Sequence, residues 1–331
     1  MIENSEIQVE TNQNTVSNID LRPKSFSSYI GQSRVTSQLK IMLGASQKNQ
    51  LPMDHVMLYG PPGLGKTSLA NVIALESASN LVVTSGQALS KVGDLAAVLS
   101  NLKDFDILFI DEIHRLKMDI QEMLYTAMED FAIDIIIGKG PSARTMRLEL
   151  SKFTLVGATT KLNKISRPMR DRFGVAMQLD FYDNQDLTSI LRLNSKTLEV
   201  SVSDTILSKI ADYSRGTPRI ANNYLKRFCE YVTHKNISNP SEEDLFALFK
   251  LLGVNQFGLN NQDVNFLRSL RDNFGGGPVG LKTISASINE DPEHVESLTE
   301  PYLIQLGFLN KSNRGRILTS KGDLIIKDVL N

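Results

Sequence analysis

The sequence predicts an α/β core built on a parallel sheet, followed by a small all-helical unit and a mixed C-terminal unit. Three observations carry this expectation. The octapeptide Gly60-Pro-Pro-Gly-Leu-Gly-Lys66-Thr67 lies between an apolar run and a helical one. Further short apolar runs alternate with helical patterns up to about Asp180, as in a parallel sheet flanked by helices. From about Tyr182 to Leu252 the strand signal stops. At 331 residues the chain has room for two or three domains, each with its own core.

Residues 1–18 are rich in Asn, Glu, Ser and Thr without periodicity and are expected to form a disordered leader. The core is placed over 19–181, with strands at 55–59, 81–84, 107–111, 153–158 and 176–180. After the first strand, glycines at 60, 63 and 65 allow the loop unusual dihedrals, so that backbone N–H groups and a helix N-terminus can surround a phosphate. The helix that follows, Ser68 to Ser79, carries Leu69, Val72, Ile73 and Leu75 at helical spacing. Strand, loop and helix in that order make Gly63, Leu64, Gly65, Lys66, Thr67 and Ser68 a candidate phosphate-binding loop, with Lys66 reaching the β- and γ-phosphates of ATP and Thr67 ligating Mg²⁺.

The run Ile107-Leu-Phe-Ile-Asp111-Glu112 is an apolar strand ending in two carboxylates. After a phosphate loop that pattern places Asp111 on the metal and Glu112 on an attacking water. Phe153 to Thr160 is a further buried strand tipped by hydroxyls, and strand ends of a parallel sheet converge on the ligand, so Thr159 or Thr160 is a candidate to hold the water or the γ-phosphate. In Ser166-Arg167-Pro-Met-Arg170-Asp171-Arg172-Phe173, three arginines lie within six residues. A solvated basic surface fits this, and so does an arginine finger inserted into a neighbour's site.

The helical unit, 182–253, has one clear apolar face through Ile220, Tyr224, Phe228 and Val232. Arg219 stands in the first turn of that helix, where a cation opposes the helix dipole; that local cost points to an anionic partner. In 254–331 a linker to Asn261, three short helical patterns and a hairpin around a polar turn predict a winged helix. Lys311, Arg314, Arg316 and Lys321 cluster at that hairpin, which suits phosphate contacts to DNA, while Glu290, Asp291, Glu293, Glu296 and Glu300 restrict DNA to one face of the domain.

Composition sets outer bounds. Hydrophobic content of 41%, charged content of 22% and a net charge of −1 describe a globular protein without a strong overall field. The single cysteine, Cys229, excludes an internal disulfide and a cysteine-cluster metal site. No apolar run approaches the ~18 residues needed to span a bilayer and the N-terminus resembles no signal peptide, so the cytoplasm is the expected compartment.

Taken together, the loop, the Asp-Glu strand end, the Thr-tipped strand, Arg170-Asp-Arg-Phe-Gly174 and Gly216-Thr-Pro-Arg219 resemble AAA+ ATPases, and more narrowly the RuvB family of Holliday-junction branch-migration motors. The narrower likeness rests on Leu21-Arg-Pro-Lys-Ser-Phe, Ala127-Met-Glu-Asp-Phe131, Gly275-Gly-Gly-Pro-Val-Gly280, Glu300-Pro-Tyr-Leu-Ile-Gln305 and Arg314-Gly-Arg316. It departs mildly in loops, at Gln87, Lys91, Val92 and Asn313.

The resemblance implies an AAA+ domain, a helical lid and a winged helix. It also implies Thr160 as sensor 1, Arg172 as the trans-acting finger with Arg170 as its competitor, and Arg219 as sensor 2. Leu21, Arg22, Ile30 and Tyr182, together with Glu129, Asp130 and Phe131, are implied nucleotide-site positions, and Lys311, Arg314 and Arg316 the DNA contacts. The implied assembly is a homo-hexamer on double-stranded DNA. A RuvA-type junction-binding partner would dock on a hairpin inserted at 131–150, and a RuvC-type resolvase would join a larger complex. The loop and carboxylates alone also fit a clamp loader, a helicase loader or a nucleotide-gated scaffold. The C-terminal unit argues against the clamp loader, and the intact Asp111, Glu112 and Arg172 against the scaffold.

Overall fold

Among the described residues up to position 180 there are seven strands and five α-helices: α1 (Ser33–Asn49), β1 (Val56–Tyr59), α2 (Lys66–Glu76), β2 (Leu81–Ser85), α3 (Val92–Ser100), β3 (Ile107–Asp111), α4 (Met118–Asp130), β4 (Ala132–Ile137), β5 (Arg144–Glu149), β6 (Thr154–Thr159), α5 (Arg167–Asp171) and β7 (Val175–Gln178). This is a computed structural model, and it describes residues 21–137 and 144–330; the leader and the Gly/Pro turn of the 131–150 hairpin lie outside them. Five strands pair in parallel in the order β2-β3-β6-β1-β7. The phosphate-loop strand β1 is therefore interior, and the carboxyl ends of β1, β3 and β6 open on one edge.

The expected strands agree with the structure to within one or two residues; β1, β3 and β6 are runs buried on both faces, while β2 and β7, at the sheet's edges, are only partly buried. Phe109 and Phe153 are fully buried, and each contributes roughly 1.5–3 kcal/mol by leaving water. Helix α1 packs Val35, Leu39 and Leu43 on the sheet, at i, i+4 and i+8. Strands β4 and β5 form a separate antiparallel hairpin with Ile133 paired to Leu148. Ile133, Ile135 and Leu148 share the face that packs on the core, and Met146, opposite Ile135 on that same face but nearer the turn, is 46% exposed.

His55, next to β1, ties the hairpin's root to the sheet. Its Nδ1 accepts from the Leu155 amide at 2.9 Å, its Nε2 faces the Met128 carbonyl at 3.2 Å, and its ring packs against Phe131 and Phe153, which also touch each other. Burial lowers its pKa from the ordinary 6.5. A histidine depressed in the fold stabilises it above the unfolded pKa, and that contribution is lost as pH falls through the folded one. The melting temperature should therefore drop below about pH 6.5, and His55→Gln should flatten that slope relative to the wild type; an unchanged slope contradicts the assignment.

The second unit has α6 (Asn184–Thr197), α7 (Asp204–Asp212), α8 (Pro218–Lys235) and α9 (Glu242–Leu251), with no strand among its described residues. Ala221, Tyr224, Leu225, Phe228, Cys229 and Val232 of α8 are buried at helical spacing. Residues 254–260, expected as a linker, are instead a packed turn: Val254 and Leu259 are buried, and Asn255 accepts from the Phe257 and Leu259 amides.

The third unit has its own core. It runs α10 (Asn261–Asp272), α11 (Leu281–Ser287), α12 (Pro292–His294), a π-helical turn (Val295–Thr299), α13 (Glu300–Gln305), then β8 (Leu309–Ser312) and β9 (Gly315–Leu318), which form the antiparallel wing. A closing helix, α14 (Ser320–Leu330), buries Ile326 and had no counterpart in the sequence-based expectation. Among the described residues, no helix is long and apolar enough to cross a membrane.

Candidate active site

A cavity of about 920 Å³ lies where the sheet's carboxyl edge meets the lid. Gly63, Gly65, Lys66, Thr67, Ser68, Asp111, Glu112 and Thr160 line it from the sheet domain, Leu21, Arg22, Ile30 and Tyr182 line it from the side, and Arg219 from α8. Leu64 does not; it is fully buried and anchors the loop in the core. The loop ends in Gly65, left-handed at φ 95°, which caps α2 and aims its first amides at the cavity. Gly63 fits only because it lacks a side chain. Its φ is 80°, and a Cβ there would stand 2.7 Å from Thr217 Cγ2 and 3.1 Å from Arg219 Cβ. The loop and the lid helix thus touch directly, and the Arg219 amide donates to the Gly63 carbonyl at 3.4 Å.

Lys66 is mostly buried. Its ammonium donates to the Gly60 and Pro61 carbonyls at 2.9 Å each, and burial lowers its pKa. Asp111 Oδ1 accepts from the Glu112 amide at 3.0 Å. Glu112 follows the strand in a left-handed conformation, φ 49°. The close approach of the β2 end explains the glycine at 86: a Cβ would lie 2.5 Å from the Glu112 carbonyl oxygen.

Burial, then the charge of Asp111, raises the Glu112 pKa. A more basic carboxylate is the better proton acceptor for water. Strand alternation separates the two threonines. Thr159 is fully buried, bonded to His114 Nδ1 at 2.9 Å and to the Lys161 amide, while Thr160 lines the cavity and donates to Glu112 Oε2 at 3.5 Å.

His114 was not singled out from sequence. Its Nδ1 lies 3.3 Å from Glu112 Oε2, and burial lowers its pKa, which favours the neutral ring. Its place three residues after Asp111 was the available signal.

The donor set fits a nucleotide with Mg²⁺. Thr67 and Asp111 share the cavity wall, and Mg²⁺ typically takes one or two protein oxygens and completes its shell with phosphate and water. Among the described residues there is no cluster of three His, Cys, Asp or Glu that would mark a different metal site.

Several expected site residues stand elsewhere. Glu129, Asp130 and Phe131 do not line the chain's own cavity. Glu129 pairs with Arg172, Asp130 with Arg147, and Phe131 packs on His55 and Phe153. Arg172 is also outside it, pinned by Glu129 at 3.2 Å, by the Pro168 carbonyl at 2.9 Å and over the Tyr125 ring at 4.7 Å. Arg170 is exposed nearby without such supports.

In the wing, the expectation for Arg316 is corrected. It is 8% exposed and forms a bidentate pair with the buried Glu300, at 2.5 and 3.0 Å, so its charge is spent inside the domain. Lys311 leans on Glu296 and Glu300 at 3.4 Å, and Lys321 packs over Phe308. Arg314 stands exposed at the wing tip.

Three family models match the chain: the Holliday junction DNA helicase RuvB P-loop domain over residues 21–179, the RuvB AAA lid domain over 182–254 and the RuvB C-terminal winged helix domain over 256–327. The Holliday junction branch migration complex subunit RuvB of Fusobacterium nucleatum is 48% identical over 301 residues, covering 91% of each chain. That of Clostridium kluyveri is also 48% identical over 301 residues, covering 91% of this chain and 86% of its own. The solved structure of the Thermotoga maritima RuvB Holliday junction branch migration motor superposes with a TM-score of 0.84 at 40% identity, over 93% of this chain and 98% of that one.

Proposed function

The chain belongs to the RuvB family of AAA+ P-loop ATPases, the branch-migration motors of the Holliday junction, and on that footing we propose that it works as a ring, a homo-hexamer, whose ATP sites are each shared by two copies. The observation that carries the proposal is the division of the site. The chain's own cavity gathers Lys66, Thr67, Asp111, Glu112, Thr160 and Arg219, while Arg172 is held rigidly on another part of the surface beside Glu129.

In this account the loop amides and Lys66 hold the phosphates of ATP. Thr67 and Asp111 hold Mg²⁺, which when bound neutralises phosphate charge. Glu112, kept in place by Thr160 and His114, takes the proton of the attacking water. Arg172 of the next copy stabilises charge on the transferring phosphoryl group, and a pre-organised guanidinium is what such a role needs. Pinning by Glu129, Pro168 and Tyr125 favours Arg172 over Arg170. Glu129, Asp130 and Phe131 then approach a nucleotide only across the copy-to-copy boundary. Arg219, in contact with Gly63, carries the nucleotide state to the lid.

The wing holds double-stranded DNA through its backbone, with Arg314 as the exposed cation and Arg316 shaping the hairpin. Arg314→Ala should weaken binding about equally on unrelated sequences and reduce the salt slope by about 1; a sequence-dependent loss contradicts a phosphate contact. The β4–β5 hairpin beyond the core, where Met146 is exposed near the turn, is the docking site for a RuvA-type junction-binding protein, and a RuvC-type resolvase joins the larger complex.

The test is ATP-driven migration of a synthetic four-way junction, with and without a RuvA-type partner. Wild type should migrate it with the partner present. Failure under both conditions, while ATP is hydrolysed, overturns the branch-migration account for this chain.

A further inference from the structure

The winged-helix domain touches the ATPase at two points of opposite character, and each adjoins a residue that faces the nucleotide cavity. On the lid, Arg215 lies four residues before Arg219. Its guanidinium makes a bidentate pair with Asp263 of α10, the second contact at 3.3 Å, with side-chain exposures of 10% and 0%. The same guanidinium lies 4.5 Å over the Tyr302 ring, whose hydroxyl donates to the Gly258 carbonyl, and Asp263 also accepts from the Asn260 amide. On the sheet, Lys161 directly follows Thr160. Its ammonium meets Glu293 of α12 at 2.6 Å, with side-chain exposures of 20% and 53%. Lys164 and Arg115 add to the positive field that, with the Lys161 hydrogen bond, holds the Glu293 carboxyl below its usual range. Of the winged helix's acids, Glu293 is the one that meets the sheet, while Glu296 and Glu300 pair with Lys311 and Arg316 within the wing.

Physical chemistry ranks the two contacts. Separating a fully buried, hydrogen-bonded pair leaves an uncompensated charge in the interior, so Arg215 and Asp263 stay together through a working cycle. A half-exposed pair is weak and is screened by salt, so Lys161 and Glu293 part readily. We propose that Lys161 and Glu293 are positioning residues that form a releasable latch between the Thr160 end of the sheet and the winged helix, while Arg215 and Asp263 fix the winged helix to the lid as one body. The inference rests on the motor account above. It adds that the DNA-binding wing follows the lid, and that opening the latch frees both to move relative to the sheet.

The test uses the full chain with spin labels at introduced cysteines, Ser100→Cys with Asp328→Cys across sheet and winged helix, and Lys235→Cys with Asp328→Cys across lid and winged helix. The native Cys229 is fully buried and its thiol is pushed up to about 11, so labelling is directed to the introduced sites. Pulsed distance measurements should find the first distribution broadened in about 1 M salt, where the Debye length is about 3 Å. They should find the same broadening in Lys161→Glu at low salt and a return to the narrow form in the Lys161→Glu/Glu293→Lys double variant, while the second distribution stays narrow throughout. Lys161→Glu should also raise the ATP consumed per unit of junction migration several-fold, with rescue in the swap. A sheet-to-wing distance as narrow in Lys161→Glu as in wild type, or a lid-to-wing distance that broadens with it, overturns the latch. If wild type fails to migrate junctions but the distances behave as stated, the motor account falls and the latch stands.

Discussion

Replacing Arg172 with alanine should lower ATP hydrolysis by about 10³–10⁵-fold at concentrations where the chain assembles, the range measured for arginine fingers. The loss should fall on turnover and leave nucleotide binding by the isolated chain unchanged, because Arg172 does not line its own cavity. Arg170→Ala, two residues away but without the supports of Glu129, Pro168 and Tyr125, should stay near wild type. Phosphate release measured against protein concentration separates the cases. Full activity in Arg172→Ala, or an equal loss in Arg170→Ala, contradicts the choice. Circular dichroism is needed alongside, since Arg172 also anchors the end of α5 against α4.

The second large effect is expected at Glu112. Glu112→Gln keeps the shape and the bonds to Thr160 and His114 within reach but removes the proton acceptor, and general-base loss typically costs about 10²–10⁴-fold. ATP affinity should be retained, because Lys66, Thr67 and the loop amides are untouched. The variant should therefore trap bound nucleotide and stop junction migration. Weakened binding with normal turnover of what is bound would instead make Glu112 a binding residue.

Much of the candidate site's geometry was legible because its chemistry is written locally. A glycine loop before a helix, an apolar strand ending in Asp111-Glu112 and a strand ending in two threonines each announce a function within a few residues. The choice between Thr159 and Thr160 was not local. It depends on which face of β6 meets His114, and the register of a strand in its sheet supplies that.

Arg316 illustrates the converse. In sequence it is one cation among four at a turn; in the fold it lies inward on Glu300, which sits sixteen residues earlier at the start of α13. A buried pair and a solvated charge use the same residue types, so composition alone does not separate them. The Arg215–Asp263 contact spans forty-eight residues and two units, beyond any motif. Helix α14 escaped because Gly322 sits within its first turn, where a glycine reads as a break, and its apolar residues form a short run, Leu324, Ile325 and Ile326, of which Leu324 is 60% exposed.

The central claim is that each ATP site is completed by the next copy, and mixing tests it most directly. Lys66→Ala should be inactive because it cannot hold ATP but retains its finger; Arg172→Ala should be inactive because it holds ATP but lacks the finger. Combined in equal amounts and allowed to exchange, they should recover phosphate release, since a site from one variant then meets Arg172 from the other. Mixtures as inactive as the separate variants, in assemblies verified to contain both, would place the whole site within one chain and contradict the account.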